Sequence, residues 1–352
     1  MNKELIALCH RYGTTRFVSC GGGNVSWKNK STLWIKASGT YLSEADETTL
    51  VAVKREPLGD LYLNPAPSDS SEREAWAKQI IQSAVEDSVS SRRPSVETPL
   101  HDLFEAAYVV HTHAPLVNGL TCARNAESAC RELFPDALWV PYLDPGVTLC
   151  LQAKRQFEDY VREHGAEPSV IIMQNHGLVV AADDLDEIDL IHERIFEVLE
   201  DTYRNAGLDT KRPDFVAEET DTLPASELVS DIDPRILALE CPGIHPSPGP
   251  LTPDHIVYSG VEPLNSVNGN GFAGYREQFG SDPQLLIHKG TTYALGTTGS
   301  QAKTASALAA DGAHVLRLTE AFGGANFMSE EQWQFVVNWE AEAYRQSVAE
   351  SY

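Results

Sequence analysis

The run VVHTHAP, Val109 to Pro115, decides how this chain is read. An apolar stretch ends in two histidines one residue apart. Alternate side chains of an extended segment share a face, so His111 and His113 point one way and Thr112 the other. Two imidazoles so placed can meet one metal ion, or can be polar residues satisfied by their surroundings. A second stretch bears on that choice. PSVIIMQNHGLVVAADD, Pro168 to Asp184, reads as two apolar strands flanking QNHG, which sets His176 in a turn beside Gly177. Turns held by rigid strands are where folds present functional groups. Three imidazoles from two turns leave a coordination position open, which suits a catalytic zinc ion better than a closed structural site.

Outward from these stretches, SVETPLH places Glu97 just ahead of a helix predicted from Thr98, with Leu100, Leu103, Phe104 and Ala107 at helical spacing. A carboxylate there is favoured by the helix dipole as an ordinary first-turn residue, and is equally available as a fourth ligand or a general base. Upstream, Asn2 to Tyr12 reads as an amphipathic helix closed by Gly13 in a left-handed conformation. CGGGNVSW (20–27) is a glycine turn entering a strand, TLWIKASGTYL (32–42) a strand ending in a tight turn, and ETTLVAV (47–53) a third strand. REPLGDLYLNPAPSDSSE is expected to be a surface excursion before a helix over 71–88 capped by Ser70 or Ser71. Downstream, Ile188, Ile191, Ile195, Val198 and Leu199 mark a long amphipathic helix.

The chain has 352 residues, 42% of them hydrophobic, enough to bury one large core or two modest ones. Two domains are expected. A formal net charge of −24 argues against nucleic-acid or anionic-membrane partners, so an anionic substrate must find a local basic pocket. The six cysteines lack both zinc-ribbon spacing and the density of a disulfide scaffold, and are read as reduced, mostly buried thiols. MNKELIALCHRYG is too short and too charged for a signal peptide, and no later segment is long and apolar enough for a bilayer. The expectation is a soluble, cytoplasmic protein.

The polar, acidic segment VAEETDTLPASELVSD (216–231) sets the expected boundary: 1–222 as a metal-binding catalytic domain and 223–352 as a smaller α/β domain without metal ligands. PQLLIHKGTTYALGTTGSQA, from Pro283, repeats the pattern of PSVIIMQNHGLVVAADDLDE, with Lys289 standing for His176. LTPDHIVYSGVEPL, from Leu251, loosely echoes LWIKASGTYL. These echoes are read as a partial duplication, or as chance likeness between strand-turn-strand units.

Together GGGNVSW, IKASGTYL, PSVETPLH, VVHTHAP and QNHGLVVAADD occur in the order and roughly the spacing of the class II aldolase/adducin family, which includes fuculose- and rhamnulose-1-phosphate aldolases. The resemblance spans about Asn2 to Asn205. GTTYALGTTGSQAKTASALAADGAHV and WQFVVNWEAEAYRQ are also similar to the aldolase portion of bifunctional proteins that join a rhamnulose-phosphate aldolase to a dehydrogenase; the dehydrogenase activity is not carried over.

The resemblance implies an α/β, three-layer fold with a central, mostly antiparallel sheet. It implies zinc held by His111, His113 and His176, with Glu97 as ligand and base. It assigns substrate phosphate to Asn24, Ser38 and Gly39. The family's two serines before the glutamate are here Ser95 and Val96, so Ser95 keeps the one hydroxyl, and Lys36, Arg92 or Arg93 are the charges available to compensate. The implied reaction is zinc-dependent cleavage of a ketose, expected as a ketose 1-phosphate, to dihydroxyacetone phosphate and an aldehyde. The alternatives are sugar-phosphate 4-epimerase or dehydratase chemistry at the same site, or an adducin-like interaction module, which is marked by loss of the histidines that this chain keeps. The resemblance also implies a homo-oligomer, a ring of four.

Overall fold

The computed structural model describes residues 2–86, 92–212, 221–229, 232–266 and 271–339. Two compact units emerge, one of residues 1–117 and 126–201, the other of 118–125 and 202–352. Residues 216–220 and 230–231 of the acidic segment on which the expected boundary rests lie outside the described residues.

The first unit is built on a sheet of seven strands: β1 (Asn24–Lys28), β2 (Thr32–Lys36), β3 (Leu50–Lys54), β4 (Tyr108–Thr112), β5 (Leu138–Val140), β6 (Val170–Met173) and β7 (Gly177–Ala182). Their spatial order is β3-β2-β1-β4-β7-β6-β5, antiparallel throughout except for β5 against β6. The expected mostly antiparallel α/β architecture is present. On one face Val109, Ile171, Met173, Val179 and Ala181 join Leu149, Ala153 and Phe157 of the helix Val147–His164 and Leu100 of the helix Thr98–Asp102. By strand alternation His111 shares that face with Val109. Helix Asn2–Tyr12 packs against β1, and Tyr12 donates to Asp189 (2.8 Å) while Arg16 grips both oxygens of Glu193 (2.7 and 2.8 Å), tying the long helix Leu185–Asn205 to it.

Several local expectations need correcting. Gly13 does not adopt a left-handed conformation; it is needed because a Cβ there would lie 2.3 Å from the Ser43 nitrogen. The stretch after Arg55 is no mere excursion, since it forms two short helices, Arg55–Leu58 and Asp60–Leu63, whose Leu58 and Leu61 join the core. The helix after it runs Ser70–Ala84 and is capped by Asp69, whose carboxylate accepts from the Glu72 nitrogen, a charged acceptor displacing the expected serines. The helix at Thr98 stops at Asp102, short of Ala107.

The second unit carries five strands, β8 (Thr222–Pro224), β9 (Leu237–Glu240), β10 (Leu264–Asn265), β11 (Leu285–His288) and β12 (Thr291–Gly296), in the order β10-β11-β12-β9-β8. Read from β8, the pairings run antiparallel, antiparallel, antiparallel, parallel, as they do from β1 through β4, β7 and β6 to β5. Chain order matches as well. The likeness in topology therefore covers the whole second sheet, and of the first sheet only the β2–β3 hairpin has no counterpart in it. Each copy of the last strand feeds a long helix, Leu185–Asn205 in one unit and Gly299–Leu318 in the other.

Register corrects the residue equivalence. Asn175 and Lys289 share φ 51, so Lys289 matches Asn175 and Gly290 takes the place of His176. His111 pairs with the third residue of β7, and the third residue of β12 pairs with Glu240, which is exposed. Pro242 then stands for His113. Among the described residues no helix is long and apolar enough to cross a membrane. None of the six cysteines is in a disulfide, and five are buried.

Between helices Asn2–Tyr12 and Leu185–Asn205, His192 is buried at 1% exposure within the rings of Tyr12, Phe17 and Phe196. Its Nδ1 donates to the Ile188 carbonyl (2.9 Å). Burial pushes this imidazole down to about 4, against the smaller opposing pull of that bond. The unfolded chain binds the proton near pH 6.5, so the contribution is complete above 6.5 and lost as pH falls toward 4, up to roughly 3 kcal/mol. His192→Leu is expected to flatten the fall of the melting temperature between pH 7 and pH 4.5; parallel curves for the two proteins would count against it.

Candidate metal centre

His111 is the penultimate residue of β4, His113 follows directly after the strand, and His176 sits in the turn between β6 and β7. Antiparallel pairing of β4 with β7 sets Thr112 opposite Leu178 and folds the β6–β7 turn back over His111. Gly177 makes this approach possible. A Cβ there would lie 2.2 Å from the Thr112 carbonyl oxygen and 3.0 Å from Cδ2 of His113.

The three ligand nitrogens lie within 4.8 Å of one another. Nε2 of His111 is 3.0 Å from Nε2 of His113 and 3.3 Å from Nε2 of His176. Nδ1 of His111 meets the Leu178 carbonyl at 3.0 Å and must donate to it, so its Nε2 carries a lone pair facing inward. Burial holds this imidazole well below its usual range against the pull of Glu97, so it stays neutral.

Glu97 closes the cluster. Its Oε1 is 3.1 Å from Nε2 of His176 and its Oε2 is 3.6 Å from Nε2 of His111. Nδ2 of Asn24, whose residue pairs with His111 across β1 and β4, donates to Oε2 at 2.8 Å. Burial alone would raise the carboxyl, but the three imidazoles together hold it well below the carboxylate range, and it is ionised at neutral pH.

Ring nitrogens facing one another at 3.0–3.3 Å place lone pair against lone pair unless a cation or proton lies between them. A tetrahedral ion with metal–nitrogen bonds of about 2.0–2.1 Å has ligand edges of about 3.3–3.4 Å, so His111, His113 and His176 fit a divalent metal with a position left open.

The remaining sequence candidates fall on neighbouring turns. Ser38 and Gly39 follow β2, where the Ser38 nitrogen donates to the Arg93 carbonyl (2.9 Å) and Ala37 bridges Pro94, joining this turn to the one carrying Glu97. The Ser95 hydroxyl accepts from the Glu97 nitrogen (3.2 Å) and so shapes the backbone of Glu97. Lys36 is buried, and its ammonium donates to the carbonyls of Gly21 (3.2 Å) and Thr40 (2.7 Å). Its place is between the two glycine turns, which it fastens together.

Two things escaped the sequence reading. Ser26, Lys28 and His101 form a buried polar set next to Glu97, and their signal was the alternation of polar residues along the strand NVSWK. GNGFAG, Gly269 to Gly274, has the glycine spacing of a dinucleotide turn and leads into the helix Gly271–Phe279, with 267–270 outside the described residues. The strand after it ends in His288, where a dinucleotide-binding unit carries an acidic residue for the ribose.

Residues 3–198 match the family described as the Class II Aldolase and Adducin N-terminal domain. The uncharacterized oxidoreductase YuxG of Bacillus subtilis (strain 168) is 28% identical over 188 residues, covering 50% of this chain and 26% of that protein. The chain thus spans about a quarter of the length of this curated relative. Among solved structures, the N-terminal class II aldolase domain of a conserved protein from Thermoplasma acidophilum is 22% identical, covers 57% of this chain and 92% of its own, and superposes with a TM-score of 0.48. L-fuculose-1-phosphate aldolase from Thermus thermophilus is 17% identical, with 59% and 98% covered and a TM-score of 0.39.

Gly177→Ala tests the close approach on which the cluster depends. The variant is expected to bind a divalent metal roughly ten- to a hundredfold more weakly by titration, with its circular dichroism retained. Unaltered affinity would mean that the turn accommodates a Cβ without moving His176.

Proposed function

The chain belongs to the class II aldolase and adducin N-terminal domain family, and from that premise we propose that it is a zinc-dependent lyase. Its substrate is a ketose, taken as the 1-phosphate, which it splits into dihydroxyacetone phosphate and an aldehyde. The observation that carries this reading is the cluster of three buried or half-buried imidazoles with one ionised carboxylate beside it, 3.1 Å from His176 and 3.6 Å from His111. An interaction module has no use for so much desolvated polar chemistry in one place.

Each residue then has a task. Glu97, ionised at neutral pH, accepts the proton of the hydroxyl two carbons from the carbonyl, and loss of that proton starts cleavage of the intervening carbon–carbon bond. A zinc ion held by His111, His113 and His176 supplies, when bound, Lewis-acid stabilisation of the negative charge that develops on the carbonyl oxygen. Asn24 keeps the Glu97 carboxylate aimed into the cluster by its 2.8 Å bond. The substrate's phosphate is assigned to the turn before Asn24, the Ser38 hydroxyl and the Gly39 backbone N–H, with the Ser95 hydroxyl at their side, the Ser38 N–H being engaged by the Arg93 carbonyl; such turns favour anions without needing a lysine. This suits a chain of net charge −24 whose Lys36 is engaged elsewhere.

The test is a retro-aldol assay of the metal-analysed protein on a panel of ketose 1-phosphates, with His113→Ala as control. Metal-dependent release of dihydroxyacetone phosphate, reduced at least about a hundredfold in the variant, is the expected result. A zinc-loaded protein that cleaves none of the panel and instead inverts C4 of a pentulose phosphate would replace the lyase by an epimerase at the same residues.

A further inference from the structure

Strand β1 turns three polar side chains toward the face that holds the metal centre. Asn24, Ser26 and Lys28 alternate along it and are 6%, 0% and 3% exposed. Each has its partner within the five residues Glu97–His101. Asn24 donates to the Glu97 carboxylate (2.8 Å), the Ser26 hydroxyl meets Nδ1 of His101 (2.8 Å), and the Lys28 ammonium donates to the His101 carbonyl (2.9 Å). Glu97 and His101 lie one helical turn apart, and the His101 nitrogen donates to the Glu97 carbonyl (3.2 Å). Strand and turn are thus joined at both ends of a single rigid piece of backbone.

His101 is an unsuitable residue for packing alone. Its side chain is fully buried, its Nε2 has no hydrogen-bond partner among the described residues, and a leucine would fill the same space without stranding a polar atom. What leucine lacks is a group that fixes the rotation of the turn about β1. We propose that His101, held by Ser26, is a positioning residue for Glu97: the bond sets the angle at which the Glu97 carboxylate meets His111 and His176. This rests on the reading of Glu97 as the proton acceptor. Asn24 fixes one oxygen of the carboxylate, and the Ser26–His101 pair fixes the backbone that carries it.

Three variants test the idea: His101→Leu, which removes the bond at similar volume; His101→Asn, which restores a polar group near the position of Nδ1; and Ser26→Ala, whose small change guards against misfolding of the first. Two quantities are read, steady-state kinetics on the cleaved ketose phosphate and the visible absorption spectrum of Co²⁺ added to the metal-free protein. Expected are a roughly 10- to 100-fold lower kcat in His101→Leu and Ser26→Ala with KM little changed, and a double variant no worse than either single one. His101→Asn should recover most of kcat. The Co²⁺ spectrum should shift in His101→Leu at unchanged stoichiometry and return in His101→Asn. Equal losses in all three variants that follow their melting temperatures, with one common Co²⁺ spectrum, would overturn the proposal and leave a packing role. If the wild-type protein cleaves no ketose phosphate, the proposed function fails. The Co²⁺ spectra still decide this inference: a shift reversed by asparagine upholds it, and identical spectra overturn it.

Discussion

The antiparallel register between β4 and β7 is the constraint on which the rest of the first unit depends. It sets His111 opposite Val179, so the three-residue turn before Gly177 returns His176 to the same face and the same level. A slip of one residue would send His111 to the other side of the sheet and Thr112 into the cluster. Register is guarded by the apolar residues that share the histidine face, Val109, Val179 and Ala181, each of which would have to leave the core for the slip to occur. The chemistry of the site is thereby coupled to the packing of the domain.

Burying so many polar groups requires that each be answered. The Glu97 carboxylate is met by two imidazoles and an amide, the Ser95 hydroxyl by the Glu97 nitrogen, and the Lys36 ammonium by two carbonyls. Left unpaired, each would cost on the order of 1–3 kcal/mol or more. Pairing instead makes the polar groups into fasteners: Lys36 between the two glycine turns, Ala37 with Pro94 between the second of these and the Glu97 turn, and Ser26 with Lys28 between β1 and the helix that follows Glu97. Three loops, around residues 20–23, 37–40 and 93–97, are held together in this way.

Much of this was legible in the residues. The alternation of VVHTHAP and the apolar flanks of QNHG identify His111, His113 and His176 because strand periodicity is local physics, and Glu97 follows from its place ahead of a helix. The remainder depends on contacts between distant segments. Nothing local announces that Lys36 bends back to Gly21 and Thr40, that Leu58 and Leu61 of a proline-rich stretch enter the core, or that His101 meets Ser26. Strands as short as β8 and β10 have almost no period of their own, and exist because a neighbour offers them its edge. The repeat was visible only at its most regular part, the β11–β12 hairpin, whereas its full extent is a matter of pairing order.

That repeat has one more consequence. The second sheet reaches the pairing order of the first with Glu240, Pro242 and Gly290 where the first has histidines, and without the hairpin that bears Lys36 and Ser38. The same pairing order is thus reached with and without histidines at these three positions. That order needs no imidazole there, and the histidines of the first unit sit on an architecture that its apolar contacts define.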